Sequence, residues 1–69
     1  MNNSLTQYEN KYIRLIATDN EIYEGFVSDY IDPIDNENNM ESIILDIENK
    51  LYPIEFYPYE IASVEILKR

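Results

Sequence analysis

The stretch EIYEGFVSDYI, Glu21 to Ile31, holds the only glycine of the chain inside a run of strongly β-prone residues. Bulky side chains fall on both faces of the strand that this stretch predicts. One face carries Ile22, Phe26 and Tyr30, and the other carries Tyr23, Val27 and Ile31. A long strand with two bulky faces usually bends, and a glycine is the residue that permits the bend. We therefore predict a long strand that bends at Gly25.

The segments on either side predict four more strands. Alternating apolar residues place them at KYIRLIAT (11–18), ESIILDIE (41–48), LYPIEFY (51–57) and ASVEIL (62–67). Within each of the first three of these strands, the residues that share one face are, in order, Ile13, Leu15 and Ala17; Ile43, Leu45 and Ile47; and Tyr52, Ile54 and Phe56. In the last strand Val64 and Ile66 are expected to point inward. Tight turns are expected at Asp19–Asn20 and Glu48–Lys50, a single helical turn at Pro58–Ile61, and a short N-terminal helix at Ser4–Glu9, capped by Ser4. Five short strands in succession predict an all-β fold, a small antiparallel barrel that occupies residues 1–69 as one domain.

Composition excludes several classes of enzyme. The chain has no cysteine and no histidine. Disulfides, thiolate zinc sites, cysteine nucleophiles, serine triads and histidine-bound zinc are therefore all excluded. Asp29 and Asp32 form a pair of carboxylates that in principle supplies an acid and a base, but a chain of 69 residues has no second domain to build a pocket around them. We expect a protein that is not an enzyme and that needs no cofactor or metal.

The charge balance of the chain indicates which kind of binding partner it favours. Fourteen acidic side chains outnumber five basic ones and give a net charge of -9. The basic residues are Lys11, Arg14, Lys50, Lys68 and Arg69. Nucleic-acid affinity rests mainly on Lys and Arg, so most of this surface is expected to repel a polyanion. The sequence shows no apolar run of bilayer length and no start typical of a signal peptide, so we expect a cytoplasmic protein without membrane contact.

The segments KYIRLIATDNEIYEGFVSDYID, ESIILDIE and EIASVEIL follow one another in an order that resembles the Sm and Sm-like family. The first of them matches the family's first signature, with an aromatic residue two positions before Gly25, then Val27, Tyr30 and an acid close behind. The chain is most similar to small acidic Sm-like proteins of low-GC Gram-positive bacteria, through its Asp-Asn-Glu loop and its Glu-Ile-Ala-Ser-Val-Glu-Ile ending. The resemblance implies an N-terminal helix followed by a strongly bent, five-stranded barrel of SH3-like type.

The family's RNA-binding residues carry over only in part. RNA-binding members use an Asp, a stacking side chain and an Asn after the bent strand, and an Arg-Gly or Lys-Gly pair near the end. In this chain Asp32 stands one position late, Asn39 precedes a methionine instead of following it, and Glu60–Ala62 replaces the basic pair. A carboxylate at a phosphate-facing position repels RNA. The candidate contacts to RNA or to another partner are Tyr30, Asp32, Asn39, Arg14 and Lys50.

The acidic segment from Asp32 to Glu41 also has a metal interpretation. Asp35, Glu37, Asn39 and Glu41 are spaced two residues apart, and such hard oxygen ligands suit Ca²⁺ or Mg²⁺. However, the position where an EF-hand loop needs glycine, the sixth from Asp35, holds a methionine, and no predicted helix flanks the segment. The pattern favours a solvated loop over a cation site.

Tyrosines supply the remaining clue to function. Those on or beside predicted strands are Tyr12, Tyr23, Tyr30, Tyr52, Tyr57 and Tyr59. Without basic neighbours they favour core and protein-interface roles over a platform for bases. The first hypothesis is therefore a non-enzymatic Sm-like binding or scaffold module for a protein partner. The alternatives are an RNA-binding Sm-like protein and an acidic mimic of nucleic acid that blocks a basic partner.

Self-association is a further expectation. Strands four and five are expected to lie at the edges of the sheet, where strand pairing between copies is possible. The charge of -9 makes copies repel one another, and Pro53 and Pro58 bracket one edge strand. These features favour a monomer or dimer over a ring.

Overall fold

A computed structural model describes residues 5–68 and shows one antiparallel sheet. Its five strands are β1 Tyr12–Ala17, β2 Ile22–Ile31, β3 Ser42–Asp46, β4 Ile54–Phe56 and β5 Ile61–Leu67. They lie in the order β4-β3-β2-β1-β5. The all-β prediction is confirmed. The strand predicted at residues 51–57 shortens most, to Ile54–Phe56, since β4 begins only after Pro53, which has no amide hydrogen for a ladder.

The long strand β2 belongs to both halves of the sheet. Its first half pairs with β1, from Ile22 to Phe26, and its second half pairs with β3, from Phe26 to Ile31. The second pairing shifts register at Ser28, which marks an irregularity of the bulge type. Phe26 is thus the position where β2 passes from one neighbour to the other.

The sheet stays open, so the predicted barrel does not close. Within residues 5–68, β4 pairs only with β3 and β5 pairs only with β1. Closure requires a ladder between the two edges. Strand β4 offers three residues between Pro53 and Pro58, which is too short an edge for such a ladder. A 3₁₀ turn at Pro58–Glu60, where the helical turn was predicted, carries the chain across to β5.

The core lies on one face of the folded sheet. Its buried apolar residues are Leu5, Ile13, Leu15, Ala17, Val27, Ile43, Leu45 and Phe56. The alternation predicted for the first strand is confirmed, and in the third strand the predicted residues Ile43 and Leu45 are buried, although Ser42 beside them is buried as well. The inward prediction is wrong for Ile66, whose side chain is 45% exposed. Ile66 lies on β5, and among residues 5–68 this edge strand pairs only with β1, so no described strand covers its outer side.

The N-terminal segment forms a shorter helix than predicted. It is a 3₁₀ turn at Leu5–Tyr8, and the predicted cap Ser4 lies outside the described residues. Asn10 adopts the left-handed conformation with φ 63°, which stops the helix at once. The amide of Lys11 donates to the carbonyl oxygen of Tyr8 at 3.1 Å, and the chain enters β1 directly. Leu5 remains buried and covers one end of the core.

Asparagine closes the other turns in the same way. The left-handed residues other than Asn10 are Asn20, Asn39 and Asn49, with φ between 60° and 73°. Asparagine tolerates this conformation better than most residues with a Cβ atom. The turns predicted at Asp19–Asn20 and Glu48–Lys50 are confirmed; in the second, the amide of Lys50 donates to the carbonyl oxygen of Ile47 at 3.0 Å.

Gly25 permits a backbone approach that no other residue allows. A Cβ atom built at Gly25 overlaps the carbonyl oxygen of Asp46, lies 2.9 Å from that carbonyl carbon and 3.2 Å from the Cα of Ile47. These atoms belong to the backbone, which cannot swing aside as a flexible side chain does. The end of β3 therefore rests directly on β2 at Gly25, beside the position where β2 changes neighbours.

We expect Gly25→Ala to lower the free energy of unfolding by about 3 kcal/mol, because the new methyl group forces two strands apart. Urea unfolding followed by circular dichroism measures the change. Ser28→Ala is the control, since Ser28 is an exposed residue of the same strand and is expected to change stability by less than about 0.5 kcal/mol. Equal stability of Gly25→Ala and the unsubstituted protein would contradict the role of this contact.

Candidate functional site

Arg14 occupies the centre of the sheet face opposite the core. In the strand register it stands directly between Glu24 of β2 and Glu65 of β5. Its Nε donates to Glu24 Oε2 at 2.7 Å and its Nη1 donates to Glu65 Oε1 at 3.0 Å. The hydrogen bond to Glu24 and the charges of both carboxylates raise the pKa of the guanidinium above its ordinary value. Arg14 is therefore a tie across three strands, and its charge is neutralised where it stands.

The predicted contact residues do not assemble into one surface. Tyr30, Asp32 and Asn39 lie on or after the second half of β2, whereas Arg14 lies opposite the first half. Lys50 lies in the turn after Asp46, at the end of β3 far from Ser42 and the acidic segment. The structure thus places these five residues in three separate regions. Two of the basic residues proposed for RNA contact, Arg14 and Lys50, belong to different regions.

Glu41 fastens the end of the acidic segment. Its Oε1 accepts a hydrogen bond from the hydroxyl of Tyr30 at 2.9 Å and another from the amide of Leu5 at 3.0 Å. The half-buried ring of Tyr30 packs against the core cluster. Tyr30 therefore serves as a structural link between β2, the acidic segment and the N-terminal turn, with its ring turned to the core.

A second set of hydrogen bonds begins at Asn36. Its Nδ2 donates to the carbonyl oxygen of Met40 at 2.7 Å and to Ser42 Oγ at 3.1 Å. Ser42 is fully buried, and its hydroxyl donates to Glu55 Oε2 of β4 at 2.6 Å. A buried hydroxyl needs such partners to offset its lost hydration. The acidic segment is thus bonded to the sheet at Asn36, Glu41 and Ser42 and is more structured than a solvated loop.

The oxygens proposed for a cation are spread apart. Across residues 5–68 there is no group of three or more acidic side chains placed to hold a metal ion. Glu41 already accepts two hydrogen bonds from the protein. Asp32 precedes a 3₁₀ turn at Pro33–Asp35. The segment offers separate carboxylates to solvent.

A groove lies on the face opposite the core. It has a volume of about 640 Å³ and is lined by Tyr12, Glu24, Gly25, Phe26, Asp46, Ile47 and Glu48. The rings of Tyr12 and Phe26, which are cross-strand partners, have centroids 5.1 Å apart and planes inclined at 58°. The groove forms because the chain at Asp46–Glu48 passes close to β2 at Gly25. It combines two aromatic rings with three carboxylates.

The groove was not predicted from the sequence, although the strand pairing that forms one of its walls can be predicted. A tight turn at Asp19–Asn20 brings β1 and β2 together with Tyr12 opposite Phe26. The other wall depends on the register of β3, which the ten-residue acidic segment does not determine.

Tyr57 and Tyr59 form a stacked pair beside β4. Their ring centroids are 5.9 Å apart and their planes are inclined at 1°. Burial, together with the nearby charge of Glu55, raises the pKa of the Tyr57 hydroxyl above 10.0. Glu60 accepts a hydrogen bond from the Tyr57 amide at 3.0 Å. Two carboxylates therefore flank the pair, and negative charge at this position disfavours the stacking of a nucleic-acid base.

No known protein family, curated protein sequence or solved structure matches this chain. Along residues 5–68 the helices are short 3₁₀ turns, and none has the length and apolar character to cross a membrane.

We expect Glu41→Ala to lower the free energy of unfolding by about 2 kcal/mol, because the Tyr30 hydroxyl and the Leu5 amide both lose an acceptor. Urea unfolding measures the loss. Glu37→Ala removes the same charge from an exposed position in the same segment and is expected to cost less than about 0.5 kcal/mol. Similar losses in the two variants would show that Glu41 acts through net charge and not through its hydrogen bonds.

Proposed function

We propose that the chain is a non-enzymatic, cytoplasmic Sm-like binding module that engages a protein partner rather than RNA. The observation that carries the proposal is the neutralised Arg14. It is the cation at the centre of the described sheet, and both Glu24 and Glu65 bind it. With a net charge of -9, the surface suits a basic protein better than a phosphate backbone.

The topology of the sheet supports the Sm-like part of this proposal. A single sheet in the order β4-β3-β2-β1-β5, a long β2 shared between its halves, and a 3₁₀ turn between β4 and β5 agree with the fold that the resemblance implies. The short turn before β1 stands where the family has its N-terminal helix. These features support the Sm-like interpretation, and the open sheet is a difference from a closed barrel.

Several contacts argue against RNA as the partner. Tyr30 has its hydroxyl bonded to Glu41, and its ring packs on the core. Glu60, in the region where the family carries a basic residue, accepts a hydrogen bond from the amide of Tyr57. Asp32 and Asn39 are exposed but have no cation beside them in the chain. Tyr30 and Glu60 are therefore already engaged within the protein, and Asp32 and Asn39 lack a neighbouring cation that would hold a phosphate.

The sheet edges set the expected assembly state. Strand β5 extends from Ile61 to Leu67, and the described residues pair with it only on the β1 side. Strand β4, at the opposite edge, is short and bracketed by Pro53 and Pro58. An edge-to-edge contact between copies would join few residues and would bring strongly negative surfaces together. The proposal therefore favours a monomer or dimer over a ring.

Oligonucleotide titration tests the choice between protein and RNA. We expect uridine-rich and adenine-rich single strands to bind more weakly than about 1 mM at low salt, because a surface with a net charge of -9 repels a polyanion. Even nonspecific nucleic-acid binders usually reach about 10⁻⁴ to 10⁻⁶ M. Fluorescence anisotropy of labelled strands provides the measurement. The paired variant Glu24→Gln/Glu65→Gln, which releases Arg14, serves as the comparison and is expected to bind no weaker than the unsubstituted protein. Micromolar, salt-dependent binding by the unsubstituted protein would overturn the proposal.

Light scattering at physiological salt tests the assembly state. We expect the mass of one or two chains, given that one chain has a mass of 8.2 kDa. A discrete mass of six or seven chains would contradict the argument from charge and from the short β4 edge. Repeating the measurement at 1 M salt, where the Debye length falls to about 3 Å, separates the two causes. A larger mass at high salt alone would identify charge as the cause that keeps copies apart.

A further inference from the structure

We propose that the groove between β2 and the end of β3 binds an arginine side chain presented by a basic segment of a partner protein. This inference rests on the proposed function, since it names the chemistry by which a protein partner is recognised. Open volume, aromatic rings and carboxylates coincide in this groove. Each of these features limits which ligand fits.

The aromatic wall favours a cation with a flat apolar face. Tyr12 and Phe26 both line the groove, and the side chain of Tyr12 is 41% exposed. A cation that lies within about 6 Å of an aromatic ring centre is attracted by the negative face of the ring. The rings also remove water from one side of the ligand, which strengthens its ionic contacts.

Acidic side chains supply negative charge to the groove. Asp46 and Glu48 are exposed, and across residues 5–68 their carboxylates form no side-chain hydrogen bond or ion pair with the protein. Glu24 also lines the groove but already binds Arg14, so the inference does not depend on it. Two carboxylates that line the same groove as an aromatic pair attract a cation and repel phosphate. Charge complementarity thus identifies the occupant as basic.

Arginine fits these walls better than the other cations. The planar guanidinium stacks on aromatic faces and presents several N–H donors to two carboxylates at once. The ammonium of lysine is compact and strongly hydrated, so it gains less from the rings. A metal ion is disfavoured because no three acidic side chains of the described residues, those of the groove included, are placed to hold one. A volume of about 640 Å³ is ample for one arginine side chain and part of its backbone.

The direct test is an NMR titration with the capped tripeptide acetyl-Gly-Arg-Gly-amide. We expect saturable amide shifts confined to the groove, at Tyr12, Gly25, Phe26, Asp46 and Glu48, with a dissociation constant of order millimolar for a single side chain. The lysine tripeptide is expected to bind at least about threefold more weakly. The citrulline tripeptide, which keeps the shape and loses the charge, is expected to produce no saturable shift. Equal shifts with all three peptides would overturn the inference.

Two matched double variants distinguish binding by the carboxylates of the groove from attraction by the overall negative charge of the protein. Asp46→Asn/Glu48→Gln removes two charges from the groove, and Asp35→Asn/Glu37→Gln removes two charges from the acidic segment. We expect the first pair to weaken binding of the arginine peptide by about fivefold or more and the second by less than twofold. Equal weakening would assign the binding to long-range charge and overturn the inference. Amide spectra without peptide confirm that each variant is folded.

Tyr12→Leu tests the aromatic contribution while it keeps an apolar side chain in the wall. We expect it to reduce the preference for the arginine over the lysine peptide to about one. The chain carries its own arginine at position 69, two residues after Leu67, whose backbone pairs with Tyr12. The titration is therefore repeated with Arg69→Gln. Saturable binding to the groove in either background supports the inference, and its absence from both overturns it.

Failure of this inference is distinguishable from failure of the proposed function. A protein partner that binds Asp46→Asn/Glu48→Gln as tightly as the unsubstituted protein would overturn the groove as its arginine site and leave the protein-binding function standing. Micromolar binding of RNA would overturn the proposed function, and the arginine-peptide titration would still decide whether the groove recognises a guanidinium.

Discussion

The contact between Gly25 and the backbone of Asp46 is the constraint on which the remaining geometry depends. It lets the end of β3 lie against β2 one residue before Phe26, where β2 exchanges β1 for β3 as its partner. Two halves of one sheet can then fold over a common core that contains Ile13, Leu15, Val27, Ile43 and Leu45. The groove on the other face is a by-product of the same approach. A single missing methyl group thus links the stability of the domain to the shape of its proposed binding surface.

The charged side chains on the sheet face opposite the core are arranged around Arg14. Across β2, β1 and β5 the row Glu24–Arg14–Glu65 places one cation between two anions and holds three strands in register. Exposed ion pairs of this kind stabilise little by themselves. Their greater effect is to occupy the guanidinium, so the sheet face has no available cation at its centre. Asp46 and Glu48 lie at the margin of this face and give it an acidic border.

Local chemistry made much of the fold predictable. The turn at Asp19–Asn20 determines the β1–β2 register, so the pairs Arg14 with Glu24 and Tyr12 with Phe26 follow from the sequence. The register between β2 and β3 does not follow, because an irregularity at Ser28 and a long connection intervene. The groove needs that second register, and for this reason its position was not predicted. The hydrogen bond from the Leu5 amide to Glu41 was also hidden, since 36 positions of sequence separate the two residues.

The four left-handed asparagines have a consequence for the unfolded chain. Glycine adopts this conformation without strain, yet the chain places asparagine at positions 10, 20, 39 and 49 and has glycine only at position 25. Replacing glycine by a residue with a Cβ atom lowers the backbone entropy of the unfolded state, which is worth about 0.4–1 kcal/mol per position where the native conformation is tolerated. A domain of 69 residues has little core with which to offset chain entropy. Its turns therefore contribute to stability by limiting the freedom of the chain before it folds.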